Sequence, residues 1–135
     1  MLGTKKALLI VDDVEINRTI LGALFEEQYT IFEAENGQQA LDMLGKHKSA
    51  ISAMLLDIVM PVMDGLTVLQ EMKKRHWNDM VPVLLITAEN SEDTFLQGYT
   101  LGVSDIINKP FRPGIVRRRV YPHHSRLRTA PKSAL

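Results

Sequence analysis

Cysteine is absent from the 135 residues. That excludes a disulfide framework and any Cys-rich zinc site, and makes a reducing compartment the default expectation. Long apolar runs are missing as well: the longest are the size of a strand, too short to span a bilayer. The opening Met1-Leu2-Gly3-Thr4-Lys5-Lys6 lacks the apolar stretch and small-residue cleavage site of a signal peptide. These absences lead to the expectation of a soluble, cytoplasmic protein with no membrane partner. Acidic residues are missing from one end only. Residues 112–135 hold seven Lys/Arg and no Asp/Glu, whereas residues 1–111 hold nine against sixteen, so the net charge of zero divides into +7 and −7. A basic end can signal nucleic acid, but a charge run without context is better read as a solvated helix face followed by an unstructured end. No direct nucleic-acid partner is expected.

Apolar residues make up 45% of the chain, enough to close one substantial core, and the length leaves no room for a second. Apolar runs of strand length recur five times: Ala7–Val11, Thr30–Ala34, Ala53–Leu56, Val83–Ile86 and Asp105–Ile107. Helix-sized segments separate them. Ile16, Ile20, Ala23 and Leu24 fall at i, i+4, i+7 and i+8, and Leu66, Leu69 and Met72 form a shorter stripe, periods that fit helices packed on a sheet. Asn36 with Gln39 resembles a capping box, and Ser91 followed by Glu92 and Asp93 places a cap and two carboxylates where a helix start favours negative charge. The second and fourth helices are predicted to begin there. Five strand–helix alternations predict an α/β fold with a parallel sheet covered on both faces, because parallel neighbours need helical crossovers and two-sided burial makes strands continuously apolar. From Pro122 to Leu135 helical periodicity is lost. The expected organisation is one domain over residues 1–121 and a basic, poorly ordered tail over 122–135, native or added.

In such a sheet, polar groups at the carboxyl ends of the strands meet along one edge, where ligands bind. Asp12 and Asp13 follow the first strand, Asp57 ends the third, Thr87 follows the fourth and Lys109 the fifth. Three neighbouring carboxylates repel one another unless a cation neutralises them, and hard oxygen ligands suit Mg2+ or Mn2+. Such an ion keeps several waters, which leaves room for a phosphoryl group to share it. Lys109 can hold a phosphate oxygen and Thr87 can donate to another. Phosphoryl transfer asks for an in-line acceptor and positive charge around the equatorial oxygens, and Asp57 fits the role of acceptor.

The blocks "LLIVDDVEINR", "MLLDIVMPVMDG", "PVLLITA" and "GVSDIINKPF" closely resemble those of the response-regulator receiver family, in order and with compatible spacing over residues 5–120. The resemblance implies a doubly wound, flavodoxin-like sheet of strand order 2-1-3-4-5 and phosphorylation of Asp57 by a sensor histidine kinase. It also implies a metal held through Asp13, Asp57 and the backbone carbonyl of Val59, with Asp12 reaching the ion through water. A cis Lys109-Pro110 peptide is expected too. Such domains act through an attached output domain or a downstream effector, and many relatives form homodimers through the fourth and fifth helices. The segment "KPFRPGIVRRRVY" resembles receivers joined to cyclic-di-GMP phosphodiesterases. One position departs from the family: where an aromatic switch residue is common, three residues before the lysine, this chain has Ile106. The expectation is that Thr87 still moves toward the phosphate while Ile106 only repacks.

Other conspicuous residues read as structural. Asp64 precedes a helical stripe and fits a cap, Gly65 fits a tight turn, and Asp105 at the start of the fifth strand fits a turn. Met54, Met60, Met63, Met72 and Met80, without histidine or cysteine neighbours, read as packing. Trp77 is expected to pack after the third helix, and the adjacent His123 and His124 point different ways on a helix and make a poor metal pair. Three other functions compete. A haloacid-dehalogenase-type enzyme needs a second Asp two residues past its nucleophile, where this chain has Val59, and a cap domain that does not fit. A flavodoxin-like flavin site needs glycine and hydroxyl donors after the first strand, where this chain has Asp12 and Asp13. A docking module without phosphorylation shares the fold but leaves the acceptor, acid pair, hydroxyl and lysine without a purpose. The sequence therefore predicts a phosphoacceptor domain and not a turnover enzyme.

Overall fold

The computed structural model describes residues 6–120. Along the chain run β1 (Lys6–Val11), α1 (Glu15–Phe25), β2 (Tyr29–Ala34), α2 (Gly37–His47), β3 (Ile51–Leu56), α3 (Gly65–Lys74), β4 (Val83–Thr87), α4 (Glu92–Thr100) and β5 (Asp105–Asn108), with a further helical segment at 113–120. Every pairing is parallel and the strand order is β2-β1-β3-β4-β5. All five expected strands form, three of them starting one or two residues earlier than the apolar runs. Residues 122–135, including His123 and His124, lie outside the described residues.

Side chains of a strand alternate between faces, and each central strand is apolar on both. Ala7, Leu9 and Val11 of β1 join Met54 and Leu56 of β3 and Val83 and Leu85 of β4 in a core closed by α2 and α3 through Leu41, Leu44, Val68, Leu69 and Met72. Leu8, Ile10, Leu55, Leu84 and Ile86 face the other way, against Leu21 and Phe25 of α1 and Val116 and Val120. Met54, Met60 and Met72 are buried and Met63 packs beside them, while Met80 is exposed. Trp77 packs against the same core, with Lys48 5.2 Å and Arg75 5.0 Å from its ring centroid.

The caps lie where the sequence places them. Asn36 Oδ1 accepts the Gln39 amide at 2.9 Å, and Ser91 Oγ accepts that of Thr94 at 3.1 Å. The return bond of the capping box is displaced by one residue, since Gln39 Oε1 accepts the Glu35 amide at 2.8 Å. Asp64 caps α3 by accepting the Thr67 amide at 2.9 Å.

Three expectations require correction. The stripe Ile16-Ile20-Ala23 of α1 faces solvent, with Ile16 61% and Ile20 40% exposed, and Leu24 is only half-buried. The packed face is Arg18, Leu21, Gly22 and Phe25, which has equally good helical spacing. Periodicity gives a stripe but not its phase; here the phase follows the large Phe25 ring, fully buried in the core beside Leu8 and Ile10. Gly65 makes no tight turn: it is the first residue of α3, and a β-carbon there would collide with the Asp57 carbonyl oxygen and stand 2.9 Å from Ile58 Cα. Asp105 belongs to β5 opposite Leu84, and its Oδ2 lies 2.7 Å from Arg119 Nη1, so an ion pair and not a turn explains it.

Candidate functional site

The parallel register brings the strand ends to one edge. The Asp12 amide donates to the Ala34 carbonyl at 3.1 Å, that of Asp57 to the Val11 carbonyl at 3.0 Å, and that of Lys109 to the Thr87 carbonyl at 2.9 Å. These bonds carry the sheet ladder one step beyond the strands and set all three residues at the same rim. Carboxylate oxygens of Asp12, Asp13 and Asp57 lie within 4.8 Å of one another. Asp12 and Asp57 are buried, and Asp13 is exposed.

Lys109 Nζ joins the group from the far end of the sequence, donating at 2.9 Å to Oδ2 of both Asp12 and Asp57. The Lys109-Pro110 peptide that follows is cis. Asp12 is held at every polar atom. Its Oδ1 accepts the Val14 amide at 2.9 Å, its Oδ2 also accepts Asn17 Nδ2 at 3.3 Å, and its carbonyl accepts Arg18 Nη1 at 2.8 Å. Asp57 Oδ1 accepts the Ile58 amide at 2.7 Å. Thr87 is fully buried, and its hydroxyl accepts the Glu89 amide at 3.1 Å without bonding the carboxylates. Val59 follows in the loop after Asp57 and is 58% exposed. Ile106 is half-buried against the core beneath α4.

Burial raises the Asp57 pKa above the ordinary carboxylate value, and the Asp12 charge adds to that; hydrogen bonding and attraction from Lys109 and the Ile58 amide pull it only part of the way back. For Lys109 burial favours loss of the proton, but its bonds to Asp12 and Asp57 together outweigh burial and raise its pKa. The pocket is thus short of positive charge, one ammonium serving three carboxylates. That donor set, hard oxygens at close range with one member open to solvent, fits a small divalent cation such as Mg2+ or Mn2+.

The sequence reading brought Asp12, Asp13, Asp57, Thr87, Lys109 and Val59 to this rim. It missed Asn17 and Arg18, which bond Asp12, and read Gly65 only as a turn residue, although its missing side chain lets α3 start against the Asp57 backbone. The signal for Arg18 lay in its place on the Leu21–Phe25 stripe, where a cation needs a buried partner.

Comparison with known proteins agrees with the geometry. Residues 8–121 match the response regulator receiver domain family. The regulatory protein VanR of Enterococcus faecium is 34% identical over 108 residues, which cover 80% of this chain and 45% of that protein, so the chain spans about half the length of this curated relative. Among solved structures, a chain of the CheX-CheY-BeF3-Mg2+ complex from Borrelia burgdorferi is 30% identical, with a TM-score of 0.82 and 90% of each chain covered. A CheY-like response regulator receiver domain protein from Methanospirillum hungatei JF-1 shares the fold at a TM-score of 0.84 and 20% identity, over 93% of this chain and 98% of that one. With the strand order, the acidic cluster and the family match in agreement, the chain belongs to the response regulator receiver domains, phosphoacceptor modules of two-component signalling, and carries the acidic cluster on which their magnesium-dependent phosphoaspartate chemistry depends.

Proposed function

We propose that Asp57 is the phosphoryl acceptor and that a sensor histidine kinase is the donor. A P–O bond forms to the Asp57 carboxylate as the bond between phosphorus and the donor imidazole breaks. The carboxylates of Asp12, Asp13 and Asp57, with the carbonyl of Val59, would hold Mg2+ (or Mn2+). When bound, the ion supplies positive charge to the phosphoryl oxygens. Lys109 then holds one of those oxygens and Thr87 another, with Ile106 repacking as Thr87 shifts. The observation that carries this reading is the Lys109 ammonium set 2.9 Å from Asp57 Oδ2 beside two further carboxylates. Intact-mass spectrometry after incubation with a small-molecule phosphodonor and Mg2+ tests it. One phosphoryl group should be gained by the wild type and none by Asp57→Asn; no gain in the wild type favours a docking module.

The kinase partnership draws support from α1, whose Ile16 and Ile20, four residues apart on one helix face, are both exposed, as is Val14 just before the helix. Ile16→Ser with Ile20→Ser should slow transfer from the kinase but not from the small phosphodonor, and equal rates from the kinase would remove that surface. On the output side, Leu96, Tyr99 and Ile115 are exposed on α4 and the segment 113–120, which supports homodimerisation there. Sedimentation with and without a phosphate mimic should show a larger species only with the mimic. The segment from Lys109 to Tyr121 supports, by resemblance, an output domain of the cyclic-di-GMP phosphodiesterase type. Hydrolysis that responds to phosphorylation in the parent regulator is the corresponding measurement, and a regulator lacking such a domain would contradict it. Among the described residues no helix is long and apolar enough to cross a membrane.

A further inference from the structure

Arg18 is a buried cation on the face where α1 otherwise packs Leu21, Gly22 and Phe25. Taking a guanidinium out of water is costly unless each part of it finds an acceptor. Arg18 finds two on different elements: Nε lies 2.9 Å from Glu33 Oε1 on the edge strand β2, and Nη1 donates to the Asp12 carbonyl at 2.8 Å. A planar fork reaches the two acceptors from two rigidly spaced nitrogens, whereas a lysine ammonium would have to serve both from one atom.

The Asp12 carbonyl belongs to the peptide unit that leads into Asp13, and a peptide unit is planar. Fixing that oxygen therefore fixes the plane that carries the Asp13 amide and Cα, and so narrows where the exposed Asp13 carboxylate can reach. The same loop is gripped a second time by the next residue of β2, because the Ala34 carbonyl accepts the Asp12 amide at 3.1 Å. Two successive β2 residues thus hold both sides of Asp12, one directly and one through Arg18. We infer that Arg18, anchored by Glu33, is a positioning residue that aims the Asp13 carboxylate at the metal position beside Asp57. The inference rests on the proposed phosphoacceptor reading for its purpose, but not for its geometry.

The test compares Arg18→Gln, Arg18→Lys and Glu33→Gln with the wild type by Mg2+ titration in a calorimeter and by backbone amide shifts of the metal-free protein. Arg18→Gln should weaken Mg2+ binding about tenfold, the loss expected when an outer partner of a metal ligand is removed. The Asp13 amide resonance should move in the metal-free state. Arg18→Lys, which keeps the charge without the fork, should not restore affinity, and Glu33→Gln should weaken binding in the same direction. Mg2+ affinity within about twofold of wild type in a folded Arg18→Gln protein, with the Asp13 amide unmoved, overturns the inference. Full rescue by lysine overturns it as well, since charge alone would then suffice. If Arg18→Gln does not fold, Glu33→Gln is judged by the same affinity and shift criteria. A wild type that takes up no Mg2+ sinks the phosphoacceptor reading, and the Asp13 shift then decides the positioning role on its own.

Discussion

Lys109 Nζ stands 2.9 Å from Asp57 Oδ2 across 52 positions of sequence, and this one contact ties the end of β5 to the end of β3. Its place between Asp57 and Asp12 puts positive charge where a phosphoryl group bound to Asp57 gathers negative charge. Removing a preorganised charged donor of this kind costs about 100-fold or more in rate. Lys109→Ala should therefore slow phosphorylation by a small phosphodonor by about that factor, followed as the time course of the phosphorylated mass. A rate within about threefold of wild type would show that the ammonium is a structural counter-ion and takes no part in transfer.

The raised pKa of Asp57 has a consequence for stability. Folded protein holds that proton more tightly than the unfolded chain, so it binds more protons between the ordinary value of 3.8 and the raised one, and stability falls as pH rises across that window. Above the window the loss is complete, and Asp57→Asn should escape it. In EDTA at neutral pH, Asp57→Asn should be more stable than wild type by about 1 kcal/mol, since Lys109 keeps Asp12 as a partner. Lys109 follows the same sign in an alkaline window: its raised pKa stabilises the fold fully below 10.5, and that contribution is lost as pH climbs through the folded value. Added Mg2+ should raise wild-type stability by about 1.4 kcal/mol for each tenfold excess over its dissociation constant and leave Asp57→Asn nearly unchanged. Urea titrations over pH, with EDTA or Mg2+, measure all of these; a wild type more stable than Asp57→Asn in EDTA at neutral pH contradicts the desolvation argument.

The strands and the rim were readable because both depend on local signals. Two-sided burial makes Leu8–Val11 and Val83–Ile86 continuously apolar, and the alternation of strand and helix then sends Asp12, Asp57, Thr87 and Lys109 to one edge whatever the details of packing. Asn36, Asp64 and Ser91 were readable as caps for the same reason, since a cap is settled within four residues. The face of α1 was not readable, because Ile16-Ile20-Ala23 and Arg18-Leu21-Phe25 have the same period and only tertiary contacts separate them. Arg18 and Glu33, like Asp105 and Arg119, pair over 15 and 14 positions of sequence, and no periodicity links such residues. Gly65 was singled out for the wrong reason: a backbone contact with Asp57 requires it, and contacts of that kind leave no pattern along the chain.

Gly65 gives a prediction that separates packing from chemistry. A methyl group there meets the peptide unit joining Asp57 and Ile58, at the Asp57 carbonyl and Ile58 Cα, and backbone cannot rotate away as a side chain can. The start of α3 must move, and with it the Gly65 amide that donates to the Ile58 carbonyl at 2.8 Å. Gly65→Ala should lose about 2 kcal/mol of stability, in the range for overpacking, and should also slow phosphorylation because the acceptor backbone shifts. A stable protein with an unchanged phosphorylation rate would mean that the loop absorbs the methyl group without disturbing Asp57.

Val62 offers the opposite test, in which a substitution near the site should help. Its φ is +70° and the Met63 amide donates across it to the Pro61 carbonyl at 2.7 Å, a strained γ-turn that costs a branched residue about 1–3 kcal/mol, and the residue is 80% exposed, so little packing offsets the strain. Asparagine accepts positive φ more readily than a branched residue, and glycine carries no penalty there. Val62→Asn should therefore raise stability by about 1 kcal/mol, with Val62→Gly gaining less because the unfolded chain becomes freer. Neither change touches the carboxylates or Lys109, so phosphorylation by a small donor should proceed at the wild-type rate in both. Urea midpoints measured beside that rate decide the matter: a loss of stability in Val62→Asn would mean that the exposed valine makes a contact worth more than its strain, and the loop after Asp57 would have to be understood through that contact.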